Sequence, residues 1–330
     1  MRPKIGITMG DPGGIGPEVT LKALAGHRPF PDVDFILFGS RRFIQSEIEH
    51  HNLDLPLPSF QDAPSGNPPP ISLIDVSPGF KLKHRGTSHP INGRLSFSCV
   101  ETAVKMAQEK KIQAVVTSPV SKESWQMAGI PFPGHTAYLN QRYPHAIMAF
   151  FSPRLNVVLF THHLPLKTAL KKVKRAELVS FFSELKKSTD EIGCFKFLLA
   201  GLNPHAGEKG MLGREEAEEI IPALSSAQEI GMEISGPFPP DTVCRRALDQ
   251  PHHMVISLYH DQGLAAFKLI AFNSGVNVTL GLPFVRTSPD HGTAFDIAGS
   301  GQADSGSMEE AIRLAADFSC RKSRGKENPG

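Results

Sequence analysis

Lys4-Ile5-Gly6-Ile7-Thr8-Met9, followed by Gly10-Asp11-Pro12-Gly13-Gly14-Ile15-Gly16-Pro17-Glu18, is the stretch on which the fold reading turns. The first six residues are β-rich and apolar, the next nine form a glycine-rich turn, and a helix is expected over 17–25. Pro17 suits a first helical turn, where a missing N–H costs nothing, and Glu18 suits the positive end of the helix dipole. Gly26 supplies a left-handed stop. The glycines are spaced GxxGxxG rather than GxGxxG, and Pro12 removes an amide donor, so the loop fails as a dinucleotide fingerprint. It reads instead as a tight strand-to-helix turn with Asp11 and Glu18 near a ligand cleft.

Outward from this unit the alternation continues. Strands are expected at 33–39, 114–117, 147–151, 156–160, 196–200, 254–258 and 267–272, and helices near 95–111, 168–187, 214–230 and 308–318. Alternating strands and helices give parallel sheets of the α/β class. Six prolines between Asp54 and Pro70 mark a solvated loop, and the polar tail 321–330 reads as frayed.

The chain has 330 residues, 40% hydrophobic and 21% charged, with 35 basic against 33 acidic side chains and a formal charge of +2. That length suggests two domains. The near balance of charge gives no pull toward nucleic acid or an anionic membrane. Apolar runs such as Val157-Val158-Leu159-Phe160 fall far short of a membrane span. Met1-Arg2-Pro3-Lys4 leads into a mixed segment, so no secretory signal is expected. Cys99, Cys194, Cys244 and Cys320 form no CxxC pair, which fits reduced thiols and a cytoplasmic location.

Fourteen histidines stand out. Three polar clusters at expected strand ends each hold one or more: Thr161-His162-His163-Leu164-Pro165, Gly201-Leu202-Asn203-Pro204-His205-Ala206-Gly207-Glu208 and Ser257-Leu258-Tyr259-His260-Asp261-Gln262-Gly263. In α/β sheets ligands collect at carboxyl ends of strands. Three neutral imidazoles would bind a divalent cation and leave open positions for a substrate oxygen. A lone loop histidine is more often a surface or hydrogen-bonded residue, and the argument rests on three in one context. A second group has anion-binding character: Gly134-His135-Thr136, Thr117-Ser118-Pro119-Val120-Ser121-Lys122, Lys268, and Asn277 with Arg286. The segment 286–301 is polar and glycine-rich, and reads as a ligand-contacting loop leading into a capped helix.

Taken in order, Thr8-Met9-Gly10-Asp11-Pro12 to Glu18, Gly134-His135-Thr136, the Asn203-Pro204-His205 cluster, Tyr259-His260-Asp261-Gln262-Gly263, and Arg286-Thr287-Ser288 to Asp296-Ile297-Ala298-Gly299 resemble the 4-hydroxythreonine-4-phosphate dehydrogenase family over about residues 4–315. His291-Gly292-Thr293-Ala294 with Asp296 also resembles the nucleotide loop of isocitrate and isopropylmalate dehydrogenases. The resemblance implies two α/β/α subdomains, 1–125 plus 270–320 and 126–269, with a cleft between them, in a homodimer whose active site lies near the interface. It implies that His163, His205 and His260 hold one divalent metal (Zn, Mg or Co), with ligands from both subunits. His163 rather than His162 matches, because it directly precedes Leu-Pro. Substrate contacts carry over to His135, Thr136, Lys268, Asn277 and Arg286. Catalytic roles carry over to Lys268 and Asp241, and cofactor contacts to His291, Gly292, Thr293, Ala294 and Asp296.

The implied reaction oxidises 4-phosphooxy-L-threonine with NAD or NADP and releases carbon dioxide, giving 3-amino-2-oxopropyl phosphate for pyridoxal 5′-phosphate synthesis. Many members of the family carry an acidic residue after Gly-His-Thr, where this chain has Ala137. The alternatives are a dehydrogenase of D-threonate or D-erythronate 4-phosphate, a metal-dependent phosphometabolite hydrolase, and a non-catalytic binder of anionic metabolites.

Overall fold

A computed structural model describes residues 2–26, 33–60 and 71–324. The chain divides into two compact units, 1–144 with 283–330, and 145–282. The boundaries drawn from sequence, after 125 and after 269, lie elsewhere: 126–144 belong to the first unit and 270–282 to the second.

In the first unit β1 (Lys4–Thr8), β2 (Asp34–Gly39), β3 (Ile71–Asp75), β4 (Ala114–Thr117) and β11 (Val285–Pro289) line up in the order β3-β2-β1-β4-β11. All their pairings are parallel. Helices α1 (Gly16–Gly26), α2 (Arg41–His50), α3 (Pro90–Gln108), α4 (Lys122–Met127), α5 (His135–Arg142) and α11 (Gly306–Arg324) complete it. Strands β2 and β4, on either side of β1, bury every residue, as a parallel sheet covered by helices on its faces requires. Helix α3 packs so closely on α4 that a Cβ at Gly93 would fall on the Ser124 carbonyl oxygen.

In the second unit the order is β10 (Val276–Leu280), β5 (Ile147–Phe151), β6 (Val157–Leu159), β9 (His253–Ser257), β7 (Lys196–Ala200) and β8 (Ile234–Phe238). Strand β5 runs antiparallel to β10 and β6, while β6, β9, β7 and β8 pair in parallel. Helices α6 (Leu166–Lys172), α7 (Arg175–Asp190), α8 (Ile221–Glu229), α9 (Val243–Ala247) and α10 (His260–Ala271) pack around it.

Several expectations are corrected. The strand expected at 267–272 is the end of α10, where Leu264, Phe267 and Ala271 fall at helical spacing on the core face. One helix over 168–187 is two, because buried Val173 turns out of helical geometry between α6 and α7. The segment 286–301 begins not as a loop but as β11, buried throughout. Two of its polar side chains bond inside: Thr287 Oγ1 donates to the Ala311 carbonyl at 2.8 Å and Arg286 Nη2 to Thr117 Oγ1 at 2.7 Å. Hydropathy alone cannot see such a strand. Strands β3, β8 and β10 were not anticipated. Helix α11 continues to Arg324, past the expected fraying at 321, and 325–330 lie outside the described residues. So does 61–70 of the proline-rich loop. Among the described residues no helix is long and apolar enough to cross a membrane.

Candidate active site

The three histidine clusters of the second unit follow β6, β9 and β7, which are neighbours in the sheet. Parallel pairing brings their carboxyl ends to one side. Two side chains then tie the loops together. Thr161 Oγ1 donates to the Leu258 carbonyl at 2.7 Å, joining the His163 loop to the end of β9. Gln262 donates to the Gly201 carbonyl and accepts from the Leu258 amide, both at 2.7 Å, joining α10 to the His205 loop.

His163, with φ 36°, and His260, the first residue of α10, stand with ring centroids 5.5 Å apart. His260 Nδ1 lies 2.7 Å from Asp261 Oδ1. A carboxylate on one ring nitrogen fixes the tautomer and orients the other nitrogen outward, which is how metal-binding histidines are supported. His162 is half-buried; its Nδ1 is enclosed without a hydrogen bond, and burial pushes its pKa down. The donor set therefore fits two ligands of a divalent cation. His205 is not brought to them. It is exposed, in a run of left-handed residues over 205–209, with its Nδ1 3.5 Å from Glu208. Among the described residues no group of three or more His, Cys, Asp or Glu is arranged to hold a metal. The convergence of three imidazoles expected from sequence is thus, within one chain, a pair.

The His205 loop is nonetheless built rather than loose. Buried Glu216 accepts from the amides of Leu202 and Asn203 at 2.8 and 2.7 Å and from Asn203 Nδ2 at 2.9 Å. Sequence reading passed over Glu216, because an acid in an acidic helical stretch carries no local mark of burial. Asp241 is exposed just before α9, Lys268 lies exposed on α10, and Asn277 sits on β10 opposite Phe150.

In the first unit part of the anion-binding group comes together, without Lys268 and Asn277, which belong to the second. Arg286, 4% exposed, reaches Thr117 at the end of β4. Burial draws its pKa down to about 10, so it stays charged at neutral pH. His135 opens α5 beside Trp125, with ring centroids 5.6 Å apart. Its Nε2 is buried without a hydrogen bond, and burial, then the Arg286 charge, holds its pKa well below the usual imidazole range. Thr136 follows in the first turn, and Lys122 packs beneath Gly134. A fixed guanidinium beside hydroxyl and helix-start donors suits a phosphate or carboxylate.

His291, Gly292, Thr293, Ala294 and Asp296 follow the end of β11. Ala294 has φ 39°, the His291 Nε2 is buried without a partner, and a Cβ at Gly292 would meet nothing. An open backbone turn with an unpartnered buried ring nitrogen fits a polar ligand such as a dinucleotide. Asp11 and Glu18 are 0% and 1% exposed, and each bonds to the chain's own backbone. Asp11 Oδ1 caps the Gly13 amide at 2.8 Å, and burial raises its pKa.

With this geometry in place, comparison with known proteins is decisive. The family model described as "Pyridoxal phosphate biosynthetic protein PdxA" matches residues 32–315. The chain belongs to the PdxA family. It is 40% identical over 324 residues to a 4-hydroxythreonine-4-phosphate dehydrogenase of Desulforapulum autotrophicum, covering 96% of this chain and 95% of that one. It is 34% identical over 326 residues to a putative D-threonate 4-phosphate dehydrogenase of Fusobacterium nucleatum, covering 96% and 98%. The crystal structure of 4-hydroxythreonine-4-phosphate dehydrogenase from Klebsiella pneumoniae superposes with a TM-score of 0.85 at 34% identity, covering 97% and 98%. PdxA relatives of both names are dehydrogenases, so the family is one of oxidoreductases and the α/β architecture is that of its solved members.

Proposed function

We propose that the chain oxidises and decarboxylates 4-phosphooxy-L-threonine to 3-amino-2-oxopropyl phosphate in pyridoxal 5′-phosphate synthesis, as a cytoplasmic homodimer using NAD or NADP and one divalent cation per site. The observation that carries this reading is the oriented imidazole pair His163–His260, within a chain matched along nearly its whole length by dehydrogenases of that name. His163 and His260 of one copy hold the cation, zinc, magnesium or cobalt, and His205 of the other copy completes the set. When bound, such a cation supplies Lewis-acid stabilisation of negative charge on the oxidised oxygen, and the nicotinamide accepts the hydride.

The chain's own residues do the rest. Arg286, with Thr117 behind it, grips the anionic end of the substrate, and His135 and Thr136 add donors while remaining uncharged. Asn277 orients the substrate by hydrogen bonding. Lys268 and Asp241 handle protons: one is released from the hydroxyl on oxidation and one returns to carbon after carbon dioxide leaves. His291, Gly292, Thr293, Ala294 and Asp296 hold the dinucleotide.

A second reading, D-threonate 4-phosphate as substrate, is favoured by one feature. Ala137 stands where many of the family carry an acid, and the loss of a carboxylate near the substrate would alter selectivity. Turnover with 4-phosphooxy-L-threonine, D-threonate 4-phosphate and D-erythronate 4-phosphate, each with NAD and NADP, decides between them. The primary reading is overturned if 4-phosphooxy-L-threonine yields no reduced nicotinamide while a sugar-acid phosphate does.

A further inference from the structure

The loop 293–303 is not merely adjacent to the glycine-rich turn and to α1 and α2; it is bolted to them by a buried charged cluster. Thr293 is held first, its carbonyl accepting from the Ile15 amide at 2.9 Å, and a Cβ at Gly14 would come within 2.7 Å of that same carbonyl oxygen. Further along, His50 Nε2 lies 2.9 Å from the Gly299 carbonyl, and Arg85 packs under Gly299, where a Cβ would meet its Cδ at 2.6 Å. Lys22 Nζ donates to the carbonyls of Gly301 and Ala303 at 2.7 and 3.0 Å. Glu18 Oε1 takes both Lys22 Nζ at 2.8 Å and the Ala303 amide at 2.9 Å.

Behind these contacts the charges close on themselves. Glu47, 2% exposed, receives Arg85 through both of its oxygens. His51 Nε2 lies between the carboxylates, 3.9 Å from Glu18 Oε2 and 3.8 Å from Glu47 Oε2, while its Nδ1 faces Gly301. Two carboxylates, Glu18 and Glu47, stand against two cations, Lys22 and Arg85. Such a closed set is what allows ionised groups to remain buried. No step of the chemistry proposed above uses any of these five residues. Glu18 and Lys22 bond directly to the loop, Arg85 and His51 pack against it at Gly299 and Gly301, and Glu47 anchors Arg85 and His51 from behind.

We infer that Glu18, Lys22, Glu47, His51 and Arg85 form a positioning cluster that fixes the height and shape of 299–303, and through it the affinity for the dinucleotide. The inference rests on the reading of this loop as the cofactor loop. Glu18 is its pivot: one oxygen holds both the loop amide of Ala303 and the lysine that grips two loop carbonyls.

The test uses the full chain and two variants, Glu18→Gln and Lys22→Met, with NAD as the probe. Amide hydrogen exchange over 299–303, led by Ala303, should accelerate about tenfold or more in both, since a buried charged anchor is lost. The KM for NAD should rise about 5- to 20-fold, while kcat and the KM for the organic substrate stay within about twofold. Glu18→Gln is isosteric; if it fails to fold, Lys22→Met, at the partly exposed end, reads the same clamp. Unchanged exchange over 299–303 overturns the positioning cluster. Faster exchange with unchanged NAD affinity leaves the clamp standing and overturns the cofactor reading of the loop. A fall in kcat at unchanged NAD affinity assigns the cluster elsewhere and overturns the inference.

Discussion

His163 and His260, 97 residues apart in sequence, present their imidazoles side by side with ring centroids 5.5 Å apart, and Asp261 holds Nδ1 of His260. No packing need explains this, since both rings are at least partly exposed. Two imidazoles make an incomplete ligand set, and the His205 loop of the same chain does not supply the third. If a second copy supplies it, His205→Ala and His260→Ala proteins, each inactive alone, should complement when dissociated and mixed. A mixed dimer then has one intact site of two, so activity should return to about a quarter of wild type on random reassortment. The mixture staying inactive, with mixed dimers shown by mass spectrometry, would place all three ligands in one chain.

Arg286 is a buried cation whose ordinary pKa is pulled down by burial alone and whose Nη2 meets an uncharged hydroxyl, Thr117. Such a buried guanidinium is suited to an anionic ligand. Arg286→Lys keeps the charge and loses the two-pronged geometry, and should raise the substrate KM about 10- to 100-fold with a smaller change in kcat. Thr117→Val, which removes only the hydroxyl that aims the guanidinium, should raise it less. Steady-state kinetics over a range of substrate concentrations reads both, and an unaltered KM in Arg286→Lys would remove this residue from the binding group.

How much of this was legible in the sequence depends on whether a feature is local. The β1–turn–α1 unit could be read from its own residues, since Pro17, Glu18 and Gly26 act through nearest neighbours. The strand-end histidine clusters were visible for the same reason. What failed was non-local. Strand β11 hides behind Arg286, Thr287 and Ser288, polar residues that a sheet interior admits only because Thr117 and Ala311 lie across from them. The end of α10 read as a strand because Phe267 to Phe272 is apolar enough for either period, and only the burial of Leu264 and Phe267 against α10's neighbours decides it. Glu18 was read toward a ligand because a carboxylate beside a glycine-rich turn usually is. Its actual partners, Lys22 excepted, lie at the far end of the chain or on α2.

Two histidines make stability depend on pH. Burial depresses His135 well below the ordinary imidazole value, and depresses His51 despite the neighbouring carboxylates of Glu18 and Glu47. Unfolded, both would take up a proton near pH 6.5; folded, they resist it. Between the unfolded and the depressed folded value the unfolded chain binds more protons, so stability falls as pH drops below about 6.5. The slope from any one such group is at most about 1.4 kcal/mol per pH unit. Urea unfolding at pH 7.5, 6.5 and 5.5 checks this. The decline should flatten in His51→Asn, and an equally steep decline in that variant would assign the effect to other groups.

Glu216 gives the remaining prediction. Its buried carboxylate accepts from the amides of Leu202 and Asn203 through one oxygen and from Asn203 Nδ2 through the other. The turn is tight enough that a Cβ at Gly207 would lie 2.6 Å from Oε2. Charge-assisted bonds of this kind are about twice as strong as neutral ones, and the group cannot be resolvated in place. In Glu216→Gln one oxygen can still accept the two amides, but the new NH2 faces the Asn203 NH2, donor against donor. The His205 loop should therefore shift while the core, which Glu216 touches only at its edge, remains. If His205 is a cation ligand, affinity for zinc or magnesium should fall about 10-fold or more, with the thermal midpoint of the metal-free protein lowered by only a few degrees. Calorimetric titration of the metal together with thermal unfolding separates the two readouts. A large loss of midpoint with unchanged metal affinity would make Glu216 a residue of the fold alone.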